Sequence, residues 1–297
     1  MTDILHMEIA GIGFSIISAN SAIKRDVLPA YLQFAEIPGR ASCSEVIEIN
    51  LESGHLPDTE IMNRIFDSEE AWSMFSDENN YYLKFSPTVF KQPLWIARFG
   101  AGFNNITIYC GEDSLSKIDG SLLNPICYPL DQLLLMYILS QRQGCLVHAA
   151  GFGIHGRGCV FPGRSGAGKS TLSRQFFDVP GIVLLSDDRI IIRKIDKVFR
   201  AFGTPWPGDA GIAENSSLPL SGIFFICHGD KNLLKEVKPK EAVERLMPVT
   251  SIPWYDEKIM SDILSFCEDM VMNIPAYELC FRPDKEVVDF LEKFVSA

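Results

Sequence analysis

The sequence predicts an α/β fold in which a smaller β-rich domain precedes a domain of strands and helices. Three observations lead to this prediction. Short apolar segments separated by turn residues fill residues 4–110. An apolar segment of helical length follows Pro129, and the run GRSGAGKS at Gly163–Ser170 stands between a strand-like and a helix-like segment.

The β-rich domain is predicted to cover residues 1–118. It contains five strand candidates, at Glu8–Ile17, Ser44–Leu51, Tyr81–Phe85, Leu94–Phe99 and Asn105–Cys110. The segment Glu45–Asn50 alternates polar and apolar residues, which is typical of a sheet with one face in water. We interpret this domain either as a structural cap or as a module that recognises another molecule, and the sequence leaves both open.

The second domain is predicted to cover residues 119–297 and to combine buried strands with four clear helices. The strand candidates are Cys145–Ile154, Cys159–Phe161, Ile182–Ser186, Ile190–Ile192, Val198–Phe202 and Leu220–Cys227, and the helix candidates are Leu130–Leu139, Glu241–Leu246, Met260–Met270 and Val288–Val295. A further short helix is expected after Gly163–Ser170. The turn His155–Gly158 predicts a β-hairpin just before this run, which the usual doubly wound nucleotide fold lacks.

The run Gly163–Ser170 fits the pattern G-x-x-x-x-G-K-[ST] in full. Its glycines allow successive backbone N–H groups to turn inward toward a polyphosphate, a conformation that a Cβ would obstruct. Lys169 is expected to reach the β- and γ-phosphates of ATP, and the Ser170 hydroxyl is expected to bind Mg²⁺. The predicted nucleotide-binding residues are Gly163, Arg164, Ser165, Gly166, Ala167, Gly168, Lys169, Ser170 and Thr171.

A buried strand at Ile182–Ser186 leads directly into Asp187 and Asp188. The continuous apolar run predicts a strand that is covered on both faces. Two carboxylates at the end of such a strand, one short helix after the glycine-rich run, are typical of a Walker B segment. From there they can reach a metal ion and the attacking nucleophile.

The segment from His148 through the glycine-rich run, with the following VLLSDD, resembles the catalytic domain of HPr kinase/phosphorylase. It also resembles stand-alone HPr-kinase-like proteins encoded with peptide-tailoring genes, and this group shares a core with ATP-dependent phosphoenolpyruvate carboxykinase. The resemblance extends from Cys145 to Arg193. It implies a P-loop domain of the HPr kinase/PEP carboxykinase type and an ATP-dependent kinase that phosphorylates a hydroxyl, expected to be serine, of a protein or peptide.

The resemblance also implies roles for individual side chains. One aspartate of the pair is expected to be the general base and the other to support Mg²⁺. We favour Asp187 as base and Asp188 as metal ligand beside Ser170, although neighbouring carboxylates titrate as a coupled pair and the order stays open. His148 matches the family's upstream histidine, which contacts the transferred phosphoryl group or tunes the pair. The other interpretation of His148 is a core histidine with a backbone partner.

Departures from the family pattern keep other functions open. Bifunctional members of the family carry a glutamate linked to the metal, and this sequence has no clear equivalent, with Glu214 as one candidate. The basic loop of the family is not recognisable here, and only Lys240 and Arg245 lie in about the right region. The sequence therefore does not predict phosphorylase activity or HPr as acceptor. The alternatives are a small-molecule kinase or carboxykinase-like enzyme on the same core, and a nucleotide-binding regulator without turnover.

Composition predicts a cytoplasmic protein. With 27 basic and 38 acidic residues, the net charge of −11 argues against nucleic acid or an anionic membrane as partner. Leu130–Leu139, the most apolar segment, is far shorter than the about 20 residues that a membrane-spanning helix needs, and no signal segment is evident. The eight cysteines lack C-x-x-C spacing, so we expect reduced thiols rather than disulfides or zinc. The resemblance is compatible with a homo-oligomer.

Overall fold

A computed structural model gives a mixed α/β protein with two large sheets. It describes residues 2–19, 22–23, 29–35, 45–69, 71–89, 92–115 and 122–296. The chain divides into two compact units after Leu133. The predicted domain boundary between residues 118 and 119 lies outside the described residues, as do Ser44, with which one strand candidate begins, and Cys43.

The first unit is built on a sheet that has eight strands within the described residues. The strands are β1 (Asp3–Ile9), β2 (Ile12–Ser18), β3 (Val46–Ser53), β4 (Asn63–Asp67), β5 (Trp72–Ser76), β6 (Asn80–Phe85), β7 (Trp95–Gly100) and β8 (Asn105–Cys110). Their order is β1-β2-β3-β8-β7-β6-β5-β4. The pairs β2–β3 and β3–β8 are parallel and the other neighbours are antiparallel.

Four of the predicted strands of this unit are present, whereas β4 and β5 were not predicted and the candidate at Glu8–Ile17 differs from the structure. On β3, Ile47, Ile49 and Leu51 are buried while the residues between them face solvent, as the alternation predicts. The single strand predicted at Glu8–Ile17 is wrong, because β1 and β2 form an antiparallel hairpin. The chain reverses at Ala10–Gly11, where both residues have positive φ, and apolar residues on both sides of this turn conceal it in the sequence.

The remaining strands and helices belong to the second unit, apart from the first turn of the helix that begins at Leu130, which lies before the boundary. They are α1 (Leu130–Ser140), β9 (Gly144–Ile154), β10 (Arg157–Pro162), α2 (Lys169–Gln175), β11 (Ile182–Ser186), β12 (Arg189–Ile195), β13 (Val198–Phe202), β14 (Ser217–His228), β15 (Leu233–Val237), α3 (Pro239–Leu246), α4 (Glu257–Asn273), β16 (Ala276–Phe281) and α5 (Glu286–Ser296). The elements that the sequence predicts in this region are present, and β15 and β16 are additional strands. The prediction that Ile182–Ser186 is covered on both faces is wrong, because Val183 is exposed and only Leu185 and Ser186 of this strand are buried.

The predicted hairpin is formed by β9 and β10, which pair antiparallel across a turn at His155 and Gly156. Both turn residues have positive φ, of 50° and 77°, as this type of hairpin turn requires. The first half of β9 pairs with β12, and its second half pairs with β10 and β11. Strand β9 therefore lies between the strand that leads into the glycine-rich run and the strand that follows the aspartates.

Three strands of this unit, β10, β14 and β16, run in the same direction, with β14 paired to both of the others. Their carboxyl ends therefore share one edge of the sheet, which is the edge where α/β proteins bind ligands. A core of aromatic rings holds this part of the unit together. Phe152 packs on Phe161 and Phe176 at 4.9 and 4.8 Å between ring centroids, and Phe161 stacks on Phe224 at 5.2 Å.

The prediction that every cysteine is reduced is wrong for one pair, because Cys227 and Cys280 form a disulfide. The two residues lie 53 positions apart, but the parallel pairing of β14 and β16 places them side by side, with 4.6 Å between their Cα atoms. Together with Glu278 they form the type of cluster that can hold a metal ion, yet the disulfide uses both sulfur atoms.

The other described cysteines are free, and they are Cys110, Cys127, Cys145, Cys159 and Cys267. All except Cys127 are buried. Burial raises the pKa of Cys110 and of Cys159 to about 12, which keeps both protonated and unreactive. Within the described residues, no helix combines the length and the apolar character needed to cross a membrane.

Candidate functional site

The glycine-rich loop, Gly163–Ser170, joins the end of β10 to α2. Gly166 and Gly168 adopt φ values of 81° and 99°, a left-handed conformation that other residues rarely adopt. A Cβ on Gly163 would lie only 2.7 Å from the Cβ of Ala167. The predicted roles of the glycines thus match the backbone that the loop adopts.

Lys169 lies at the start of α2 and is buried, with 6% of its surface exposed. Its Nζ donates hydrogen bonds to the carbonyl oxygens of Gly163 and Arg164 at 2.8 and 3.2 Å. Burial lowers the pKa of Lys169, and the charge of Asp188 partly opposes this effect. The ammonium group is therefore held at the loop and close to the aspartates.

A cavity of about 390 Å³ opens beside the loop. It is lined by His148, Ser165, Gly166, Gly168, Lys169, Ser170, Thr171, Asp187, Asp188, Gly208, Asp209 and His228. All four predicted catalytic residues and most of the predicted nucleotide-binding residues therefore face one space. Gly163, Arg164 and Ala167 belong to the loop but do not line the cavity.

His148 connects the loop to the aspartates. Its Nε2 lies 3.0 Å from Oδ1 of Asp188, and its carbonyl oxygen accepts a hydrogen bond of 3.1 Å from the N–H of Gly163. The residue after it, Ala149, donates its N–H to the carbonyl of Asp188 at 3.0 Å. These contacts follow from the central place of β9 and put His148 at the cavity, and its role there stays a prediction.

Asp188 is partly exposed and surrounded by cations. Arg189 Nε lies 3.3 Å from its Oδ2, and His148 contacts the other carboxylate oxygen. Burial tends to raise the pKa of Asp188, but the hydrogen bond from His148 and the charges of Arg189, His148 and Lys169 outweigh it, so the pKa lies below its usual range. Asp188 is therefore ionised and oriented at neutral pH.

Asp187 has a different environment, with only 2% of its surface exposed. Its carboxylate accepts hydrogen bonds from the backbone N–H groups of Gly208, Ala210 and Ile212 at 2.9, 2.7 and 3.2 Å. We call the segment Gly208–Ile212 the strap. Asp187 fixes the strap across the carboxyl end of β11, because one side chain satisfies three of its amides.

Sequence reasoning missed three residues of the cavity, which are Gly208, Asp209 and His228. Asp209 lies between the two strap residues whose amides Asp187 binds most closely, and it is exposed. His228 ends β14. No local sequence pattern identifies these three residues, because each reaches the cavity through pairing or hydrogen bonding with a distant segment.

The cavity is not lined by the three residues that the sequence offered for the metal-linked glutamate and the basic loop of the family, which are Glu214, Lys240 and Arg245. Glu214 lies beyond the strap, and Lys240 lies on α3. Arg245 on the same helix binds Glu278 through Nη1 at 2.7 Å and also pairs with Glu241. These ion pairs account for the charge of Arg245 without a ligand.

Comparisons with known proteins give little further information. No protein-family model matches the chain, and no curated protein matches it. Among solved structures, the HPr(Ser) kinase/phosphatase from Coxiella burnetii is similar with a TM-score of 0.31 and 14% sequence identity, over 51% of this chain and 88% of that protein. A likeness of this strength assigns no family, so the function has to be argued from the geometry of the site.

Proposed function

We propose that the chain is an ATP-dependent kinase that transfers the γ-phosphoryl group to a hydroxyl, expected to be serine, of a protein or peptide. The observation that carries this proposal is the shared cavity. It is lined on one side by the glycine-rich loop and on another by Asp188, which His148 orients. Phosphoryl transfer depends on positioning and on charge neutralisation, and this cavity supplies both.

The loop provides the nucleotide-binding part of the proposal. The positive φ values of Gly166 and Gly168 turn the backbone as a cradle for phosphates requires. The ammonium group of Lys169 is held at the loop by two carbonyls. It would exchange these contacts for the β- and γ-phosphate oxygens and balance their charge.

For Mg²⁺, the cavity offers the oxygen donors that this cation prefers. The Ser170 hydroxyl and the Asp209 carboxylate both line the cavity, and we propose that they hold the ion. Asp188, the carboxylate that the sequence assigned to the metal, is engaged by His148 and Arg189. When bound, Mg²⁺ neutralises charge on the phosphate oxygens.

The geometry favours Asp188 over Asp187 as general base, the reverse of the order favoured from sequence. Three backbone amides bind the buried carboxylate of Asp187, so that an acceptor hydroxyl would have to displace them. The Asp188 carboxylate is more exposed and has a histidine partner. In this proposal the acceptor hydroxyl donates its proton to Asp188 while its oxygen bonds to the γ-phosphorus, and ADP leaves.

The test is incubation of the chain with γ-labelled ATP and Mg²⁺. Serine-containing peptides from neighbouring genes and HPr are offered as acceptors, and nucleotide binding is measured in parallel. Label on a serine that disappears with Asp188→Asn, while nucleotide binding persists, would support the kinase. Label on a small molecule would favour the small-molecule kinase, binding without transfer would favour a regulator, and loss of all nucleotide binding would contradict the proposal.

A further inference from the structure

The disulfide between Cys227 and Cys280 lies beside the cavity. Cys227 is the penultimate residue of β14 and Cys280 the penultimate residue of β16, and the register pairs the two directly. The next pair in the register, His228 and Phe281, ends both strands. This is the same sheet edge from which β10 leads into the glycine-rich loop.

Residues next to the cysteines lie close to the loop. An ideal Cβ on Gly168 would lie 3.5 Å from Ile226 Cγ2, 3.9 Å from Phe281 Cε1 and 4.0 Å from His228 Cε1. His228 also lines the cavity. The side chains that face Gly168 therefore belong to residues that directly flank the disulfide.

The disulfide is within reach of solvent. Both of its cysteines are half-buried, whereas four of the five free cysteines in the described part of the chain are buried. Thiol–disulfide exchange requires that a thiolate approach one sulfur atom along the S–S axis. A buried structural bridge would resist this approach, but a half-buried bridge beside the exposed His228 allows it.

We propose that Cys227–Cys280 is a thiol–disulfide exchange site whose oxidation state sets the nucleotide affinity of the neighbouring cavity. The co-reactant is a dithiol. One of its thiolates attacks a protein sulfur and breaks the S–S bond, and its second thiol then resolves the mixed disulfide. The protein disulfide gains two electrons and two protons and becomes two thiols, while the dithiol is oxidised to its own disulfide.

The direction of the coupling follows from the position of the bridge. In the oxidised protein the covalent bond ties the two strand ends together, so Ile226, His228 and Phe281 stay against Gly168. After reduction the strand ends keep their backbone hydrogen bonds and the core packing of Phe281 but lose the covalent bond, and strand ends are the places where strands open most readily. The oxidised form should therefore bind nucleotide more tightly, and bound nucleotide should make the disulfide harder to reduce by the same factor.

The nucleotide part of this inference rests on the proposed function, so the experiment uses two readouts. The first is the Kd of fluorescent ATP with Mg²⁺ for the full chain, oxidised or reduced by dithiothreitol, with the bridge checked by mass spectrometry. Reduction should raise Kd about fivefold or more, the scale of common coupling energies. The double variant Cys227→Ser with Cys280→Ser should show the weaker affinity in both conditions. Cys127→Ser, which removes the half-buried free thiol, should behave as the wild type.

The second readout is hydrogen exchange of residues 163–170 without nucleotide, which should become faster on reduction. If Kd and exchange both stay unchanged after verified reduction, the switch is wrong and the kinase proposal stands. If exchange responds but neither form binds nucleotide, the coupling between bridge and loop is supported and the kinase proposal fails. If Cys227 and Cys280 remain reduced when the protein is incubated with oxidised glutathione, the inference is wrong.

Discussion

At the residue scale, two neighbouring aspartates have different surroundings although they share one strand end. Asp187 is buried and its carboxylate binds three amides of the strap. Asp188 contacts His148 and Arg189 and is partly exposed. The sequence identified the pair, because an apolar run that ends in two carboxylates is a local pattern. It could not order them, because the strap lies about twenty residues further along the chain.

Replacement of Asp188 by asparagine should lower turnover by a factor of about 10²–10⁴, the usual contribution of a general base. Nucleotide affinity should persist, because the loop does not depend on this carboxylate. The comparison variant is Asp187→Asn, which should instead reduce the free energy of unfolding by about 1.5–3 kcal/mol through weaker bonds to the strap. Measuring the transfer rate and urea unfolding of both variants separates the two roles. If Asp187→Asn loses as much turnover as Asp188→Asn and is not destabilised, the assigned roles are wrong.

The lowered pKa of Asp188 predicts how stability depends on pH. Because the unfolded chain takes up the proton first as pH falls, this carboxylate contributes its full stability above the ordinary aspartate pKa of about 3.9. The contribution is lost as pH falls from there through the folded pKa. Urea midpoints measured from pH 6 to pH 3 should therefore fall more steeply for the wild type than for Asp188→Asn, and parallel curves would count against the assigned environment.

At the element scale, the strap and the hairpin show what the sequence reveals and what it conceals. The β9–β10 hairpin was predictable, since His155 and Gly156 mark the turn between two apolar runs. The strap has no such local mark, because its conformation depends on Asp187. Strands β15 and β16 were missed for a related reason: their pairing partners, not their own pattern, define them. The disulfide also depends on this pairing.

The strap leaves no room for a side chain on Gly208. A Cβ at this position would lie 2.8 Å from Oδ2 of Asp187 and 3.1 Å from Cβ of Asp188. Gly208→Ala should therefore displace the strap, cost about 1–3 kcal/mol in unfolding free energy and reduce phosphoryl transfer. Gly100→Ala is the control, because its nearest neighbour, the carbonyl of Asn79, lies at 4.0 Å. Equal unfolding midpoints for the two variants would refute the close packing.

Helix α5 packs in the core of the second unit, and Leu291 is fully buried there in the same cluster as Phe161 and Phe176. Leu291→Ala should lower the free energy of unfolding by about 2–5 kcal/mol, because it removes buried methyl groups and leaves a cavity. Lys293→Ala on the exposed face of the same helix provides the control. Chemical denaturation of both variants measures the difference. A loss below about 1 kcal/mol for Leu291→Ala would contradict the prediction, because it would mean that the core collapses around the gap.

At the scale of the whole molecule, each of the two units has its own sheet. The candidate site belongs to the second unit alone, since every residue that lines its cavity follows Leu133 in the chain. For the first unit, the sequence predicts no catalytic residue. Its role as a cap or as a recognition module stays a prediction.

Nucleotide should therefore stabilise the second unit selectively. At a ligand concentration of 100 times Kd, binding adds about 2.7 kcal/mol to the stability of the form that binds. Hydrogen exchange with and without ATP and Mg²⁺ should show protection in β10, α2 and β11 but none in β1–β8. Lys169→Ala should abolish the protection, and protection spread evenly over both sheets would contradict a site confined to the second unit.

One residue of β9, His148, contacts both the loop and the aspartate of the proposed reaction centre. The carbonyl of His148 anchors the first residue of the loop, and its imidazole holds Asp188. In the proposed function, the loop that would hold the phosphate donor and the carboxylate that would act as base are thus both attached to His148. A replacement of the His148 side chain would therefore release the Asp188 carboxylate from its partner and leave the backbone hydrogen bond to Gly163 in place.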